Sequence, residues 1–163
     1  MTIYVFDTSY LIEFSNCGRD ANPKACIRIR KMVGEAARAG ARFFVPLPCL
    51  FELGDHIADV RHTQRRDELA GWLLNTVESS LNNEGHWIIT PAGNSKEVLP
   101  PLLVKFKDKT VRKHIGLVDT FAAMEAERLK EEYRRMKAVV HIWTNDRPLK
   151  ALEPDKESDP YHW

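Results

Sequence analysis

The chain has 163 residues, 44% of them hydrophobic, and 24 Lys and Arg stand against 23 Asp and Glu for a formal net charge of +1. That length lets one domain bury roughly two thirds of its unfolded surface without covalent staples, and the balanced charge excludes a histone-like or strongly cationic membrane-binding surface, so any nucleic-acid affinity must be local. Cys17, Cys26 and Cys49 are odd in number and lack CxxC spacing, which fits a reducing, cytoplasmic setting better than a disulfide framework or a zinc site; neither a bilayer-spanning run nor a signal peptide is expected, and no membrane partner.

Residues 3–6 read as a buried strand that ends on Asp7, with Thr8 and Ser9 directly behind it. A turn or short helix over 9–14 and the loop SNCGRDANP lead to a helix over 24–39. Its apolar positions Ile27, Met32, Val33 and Ala36 fall near helical spacing, and Gly40 sits where a C-terminal cap belongs. ARFFVP reads as a second buried strand stopped by Pro46 and Pro48, and CLFELGDHIADV as the helix behind it. An amphipathic helix over 64–83 carries Leu69, Trp72, Leu73 and Val77, and HWIITP reads as a third strand. The basic, proline-interrupted stretch EVLPPLLVKFKDK follows with no assigned element. A helix over 117–135 then leads into a fourth strand, AVVHIWTND, and PLKAL makes a last helical turn opened by Pro148. DKESDPYHW reads as a loose polar tail.

Strands alternating with helices imply an α/β fold with a parallel sheet covered on both faces. In such a sheet every strand ends along one edge, where ligands bind. Asp7 ends the first strand and Asp146 follows the fourth, so both carboxylates belong to that edge. Two further acids sit in apolar surroundings: Glu52 in the helix after the second strand, and Asp119 among Leu117, Val118, Phe121 and Ala122. Taken singly, each acid has an ordinary role open to it. Asp7 is a good helix N-cap, Glu52 a solvated helix charge, Asp119 an acid at the positive end of a helix dipole, and Asp146 a cap ahead of Pro148.

As an ordered set, VFDTSYL, the FE of the second helix, GLVDTFAA and WTNDRPL resemble the PIN-domain nucleases, in particular the VapC-type toxins of bacterial and archaeal toxin–antitoxin pairs, from residue 1 to about residue 152. The resemblance implies a PIN-like three-layer fold, a central parallel sheet of four to five strands flanked by helices, with a nuclease domain over 1–152 and a polar tail over 153–163. It implies that Asp7, Glu52, Asp119 and Asp146 gather around Mg²⁺ or Mn²⁺ and cleave RNA, and that the partners are an antitoxin and a second copy of the chain. Water activated by the metal, rather than the ribose 2′-OH, would attack and leave 5′-phosphate and 3′-hydroxyl ends. A housekeeping RNA-processing nuclease and a non-catalytic RNA-binding module are the alternatives within the same resemblance.

The chemistry agrees with that grouping. Two like charges about 4 Å apart repel by ~4 kcal/mol at an effective dielectric near 20, so converging carboxylates need cations or protons. A hard divalent ion with oxygen ligands answers this, and no Cys/His set points to zinc. Thr8, Ser9, Thr144 and Asn145 are the donors placed to orient the carboxylates or hold the attacking water. Lys105, Lys107, Lys109, Arg112 and Lys113, against Asp108, form either an RNA-phosphate track or an ordinary solvated loop. Ser9 stands where a phosphoaspartate hydrolase of the haloacid dehalogenase type needs its second acid, and neither a P-loop nor a glycine-rich dinucleotide turn is present.

Overall fold

Period-two alternation along the strands sorts their side chains onto two faces, and both faces are apolar. A computed structural model describes residues 1–17, 22–90 and 93–157 of the chain. The middle of the SNCGRDANP loop, the Pro91 end of HWIITP and the last six residues lie outside the described residues. Strands β1 (Thr2–Phe6), β2 (Arg42–Pro46), β3 (Trp87–Thr90) and β4 (Val139–Trp143) form one sheet in the order β3-β2-β1-β4. Every pairing is parallel, with Ile3 opposite Arg42 and Val140, and Phe44 opposite Ile88.

One face carries Phe6, Phe43, Val45, Trp87 and Trp143. It packs under α1 (Thr8–Ser15), α2 (Pro23–Arg38), α3 (Leu47–Ala58) and α4 (Thr63–Leu81). The Trp143 ring anchors this layer, 3.9 Å from the Tyr4 ring centroid and 5.4 Å from that of Phe6. The other face carries Ile3, Val5, Phe44, Val140 and Ile142 against α6 (Leu117–Glu132) and Leu149 of α7 (Arg147–Lys150). Ala123 and Ala126 of α6 are fully buried there. The result is the three-layer α/β architecture, with four strands.

Three local readings change. The face of α2 that goes inside runs through Cys26, Ile29 and Val33, whereas Ile27 is 71% exposed. On α4 only Leu69 is buried, with Trp72, Leu73 and Val77 half-buried, because that helix flanks the layer rather than entering it. The helix over 117–135 ends at Glu132 and passes through a short 3₁₀ turn, Arg134–Met136. Leu117, at its first position, is 40% exposed.

The proline-interrupted stretch is itself helical. Asn94 caps α5 (Ser95–Lys105) by accepting from the Lys96 amide at 3.0 Å. Pro100 and Pro101 remove two amide donors from this helix, at positions exposed enough for water to serve the freed carbonyls. The helix then widens into a π turn, Phe106–Thr110, where the Thr110 hydroxyl meets that of Thr120 at 2.8 Å and fastens the segment to α6.

The tail is tied down where it is described. β4 is an edge strand, and residues 153–157 cover its open side. The Asp155 amide donates to the Val140 carbonyl at 3.2 Å, the Val140 amide to Asp155 Oδ2 at 2.7 Å, and the Ile142 amide to Glu153 Oε2 at 3.2 Å. Capping the edge in this way removes a template for strand addition.

Candidate active site

The acids meet where the sheet changes direction. The chain leaves β1 toward β2 on one side and returns as β4 on the other, so the crevice between the ends of β1 and β4 is the switch point of the sheet. The ladder runs one step past β1, the Asp7 amide donating to the Trp143 carbonyl at 3.0 Å, and then the two chains part. Asp7 becomes the N-cap of α1 and Asp146 the N-cap of α7, while Glu52 rides on α3 and Asp119 on the first turn of α6.

Each of the four acids has one carboxylate oxygen held by a protein donor. Asp7 Oδ2 accepts from the Ser9 hydroxyl at 2.7 Å and the Thr144 hydroxyl at 2.8 Å, with the Ser9 amide at 3.3 Å. Glu52 Oε2 accepts from the Thr8 hydroxyl at 2.6 Å. Asp119 Oδ2 accepts from the Gly116 amide at 3.1 Å, and Asp146 Oδ1 from the Leu149 amide at 2.7 Å. The second oxygen of each carboxylate takes part in none of the described side-chain hydrogen bonds. Cap and site therefore coexist in the same residue.

The hydroxyls are themselves oriented. Ser9 Oγ accepts from the Asn145 amide at 3.0 Å, and Thr144 Oγ1 from the Asp146 amide at 2.9 Å. A hydroxyl has a single proton, so these amides leave both protons to point at Asp7. Asn145 thus acts through its backbone rather than its side chain. Thr8, Ser9 and Thr144 all touch acids, and the Asp146 amide is linked to Asp7 through one oxygen.

Electrostatics follow from this convergence. Asp7 is 3% exposed, and burial raises its carboxyl above the ordinary range against the pull of the Ser9 and Thr144 hydroxyls. Burial also raises Asp119, to about 6, and the charges of Asp7, Asp146 and Glu52 add to the rise, while the Gly116 amide opposes it. None of the described ion pairs involves any of the four acids.

Two participants escape a sequence reading. Cys49, buried on α3, has its thiol raised well above the ordinary value by burial and by Asp7, Glu52 and Asp119, so it stays protonated beneath the acids. Gly116 caps α6, and a Cβ there would stand 3.2 Å from Asp119 Oδ2. The glycine ahead of LVD is the only hint of it in the sequence.

The basic residues do not form one line. Lys105 is paired with Glu127 at 2.6 Å. Lys105, Lys109 and Lys113 line a cavity together with Asp108 and Glu127, whereas Lys107 and Arg112 lie outside it on the exposed surface. Among the described residues, the only group of three candidate ligand atoms within 4.8 Å of one another belongs to His141, Glu153 and Glu157, not to the four acids. Lys150 Nζ lies 2.7 Å from both of those glutamates and fills the place of a cation.

Comparison with family models, with curated proteins and with solved structures returns no match for this chain. No helix among the described residues is long and apolar enough to cross a membrane.

Proposed function

We propose that the chain is a divalent-metal-dependent endoribonuclease of the PIN kind, acting as the toxin of a toxin–antitoxin pair. The observation that carries the nuclease reading is the set of four acids at the switch point, each with one oxygen held by the protein and, among the described residues, none in an ion pair. The toxin reading, with its antitoxin and homodimer partners, is supported by the motif resemblance alone.

The donor set fits a hard cation. All available ligand atoms are carboxylate oxygens, and the neutral Cys49 thiol offers no thiolate, which favours Mg²⁺ or Mn²⁺ over zinc. Asp7, Glu52, Asp119 and Asp146 would hold the ion. When bound, it would lower the pKa of a water and offset charge on the scissile phosphate. Ser9 and Thr144 keep Asp7 in one orientation while its other oxygen stays available. In the metal-free protein Asp119 holds a proton up to about pH 6, and a cation must compete with it. Attack by water leaves 5′-phosphate and 3′-hydroxyl ends.

The test is cleavage of mixed cellular RNA by purified protein with Mn²⁺, with a chelator, and with Asp7→Asn or Asp119→Asn, alongside growth of cells expressing each form. Metal-dependent cleavage with 5′-phosphate ends and growth arrest by wild type alone is the expected outcome. Equal toxicity of wild type and variants would overturn it. A harmless wild type that still cleaves would make this a processing enzyme, and binding without cleavage a non-catalytic module.

A further inference from the structure

We infer that a cavity beside the acids receives one unpaired base of the RNA substrate and so sets which bond is cut, an inference that rests on the nuclease reading. The cavity measures about 260 Å³ and is walled by Pro48, Leu99, Leu102, Leu117, Val118 and Phe121. Among the described residues, Ser95 supplies its only polar side chain and no ionisable group lines it. Leu102 and Phe121 are buried at its floor, whereas Leu99 and Leu117 are 47% and 40% exposed, so the mouth opens to solvent.

Its position is fixed by the same two helix starts that carry acids. Pro48 lies one turn before Glu52 on α3, and Val118 directly precedes Asp119 on α6. A single-stranded RNA alternates charged phosphates with flat, uncharged bases, and this surface sets an uncharged hollow against a cluster of acids. Bases splayed from single strands are commonly held between apolar or aromatic side chains, with a few polar groups reading their edges.

Polar groups at the rim favour a base over the aliphatic side chain of a protein partner. Besides Ser95, the backbone at Gly93 lines the cavity; its φ is +70°, and a Cβ there would stand 2.7 Å from Val98 Cγ2.

The experiment walks a single abasic nucleotide through a short single-stranded RNA across its principal cleavage site, with Mn²⁺, using wild type and the cavity-filling variants Leu99→Trp and Ser95→Trp. Wild type should lose cleavage roughly ten- to hundredfold at one abasic position flanking the scissile bond, the range of base stacking on side chains, and little elsewhere. The filled variants should cut intact RNA at the rate of that abasic RNA, be indifferent to the abasic position, and match wild type on the abasic substrate itself. Wild-type cleavage insensitive to the abasic walk, or filled variants that keep the wild-type sensitivity, would overturn the cavity's role and leave the nuclease reading standing. Filled variants with normal cleavage that lose binding to a protein partner would assign the cavity to that partner instead. Failure of wild type to cut any RNA would overturn the nuclease reading itself.

Discussion

Removing one acid should make the metal-free protein more stable, and Asp119 is where the effect can be worked out. Its carboxyl rises from 3.8 to about 6, chiefly by burial and then by the charge of Asp7. That rise corresponds to ~3 kcal/mol at 1.36 kcal/mol per tenfold change in proton affinity, and partial exposure of the group to solvent reduces it to about 1–2 kcal/mol. Because the folded value lies above the unfolded one, the stability this group contributes is full below about pH 3.8 and is lost as pH rises through about 6. Asp119→Asn keeps an oxygen to accept the Gly116 amide but carries no charge. At pH 7.5, with a chelator present, the variant should melt roughly 2–8 °C above wild type, given about 2–4 °C per kcal/mol for a chain of this size. By pH 4 the two should converge, since a protonated carboxyl and an amide are then alike in charge. Calorimetric scans of both proteins from pH 4 to 8 measure the difference directly, and the titrations of groups away from the four acids cancel in it. Parallel stability curves, or a variant less stable at pH 7.5, would refute the claim that the acids repel one another in the folded protein.

Adding Mg²⁺ or Mn²⁺ should stabilise wild type by ~2.7 kcal/mol at a hundredfold excess over the dissociation constant, and Asp7→Asn or Asp146→Asn should shrink that response; superimposed wild-type melting curves with and without metal would exclude a cation site here. In the tail, burial works to raise the Glu153 carboxyl, but bonds from His141, Lys150 and the Glu157 amide bring it down to about 2, so its contribution is present above about pH 4.5 and is lost as pH falls through about 2. Glu153→Gln, which leaves the Lys150 ammonium short of one buried partner, should cost about 2–4 kcal/mol at pH 7 by denaturant titration, and a cost near zero would return 153–157 to the role of a loose tail. Among the basic residues, neutralising Lys107, Lys109, Arg112 or Lys113 should each flatten the salt dependence of RNA binding by roughly 0.7 to 0.9 in slope if they meet phosphates. Lys105→Ala should leave the slope unchanged, because Glu127 already holds that ammonium.

The sheet was legible because its strands are apolar on both faces and separated by helices, a pattern that only a covered parallel sheet satisfies. What the sequence hid has one physical origin: partners that are distant in the chain. The proline pair in α5 argues locally against a helix, yet the segment is held by Thr110 against Thr120 and by Leu102 in the interior. The acids of 153–157 look solvated because their partners are the edge amides of β4 and the ammonium of Lys150, none of which a local pattern shows. Ile27 misled for a related reason. Helical spacing is satisfied by more than one face of α2, and contact with α1 selects the face that is buried.

The same distinction runs through the acids. A capping residue and a ligand residue have identical local signatures, a carboxylate at the end of a strand followed by hydroxyls and a helix, so neither role could be read from Asp7 or Asp146 alone. The fold makes both roles compatible because a carboxylate has two oxygens. Capping takes one of them, Oδ2 in Asp7 and Oδ1 in Asp146, and fixes where the other lies. A cap on an isolated helix is satisfied by that bond and gains nothing from company. Here the caps Asp7 and Asp146 lie within electrostatic reach of Glu52 and Asp119, none of the four takes part in a described ion pair, and burial together with the neighbouring charges raises Asp119 to about 6. Helix caps alone would be better served by serine or asparagine, which satisfy the same amides without repulsion. Carboxylates at the two cap positions, with Glu52 and Asp119 beside them, are the negative charge that the proposed cation would offset.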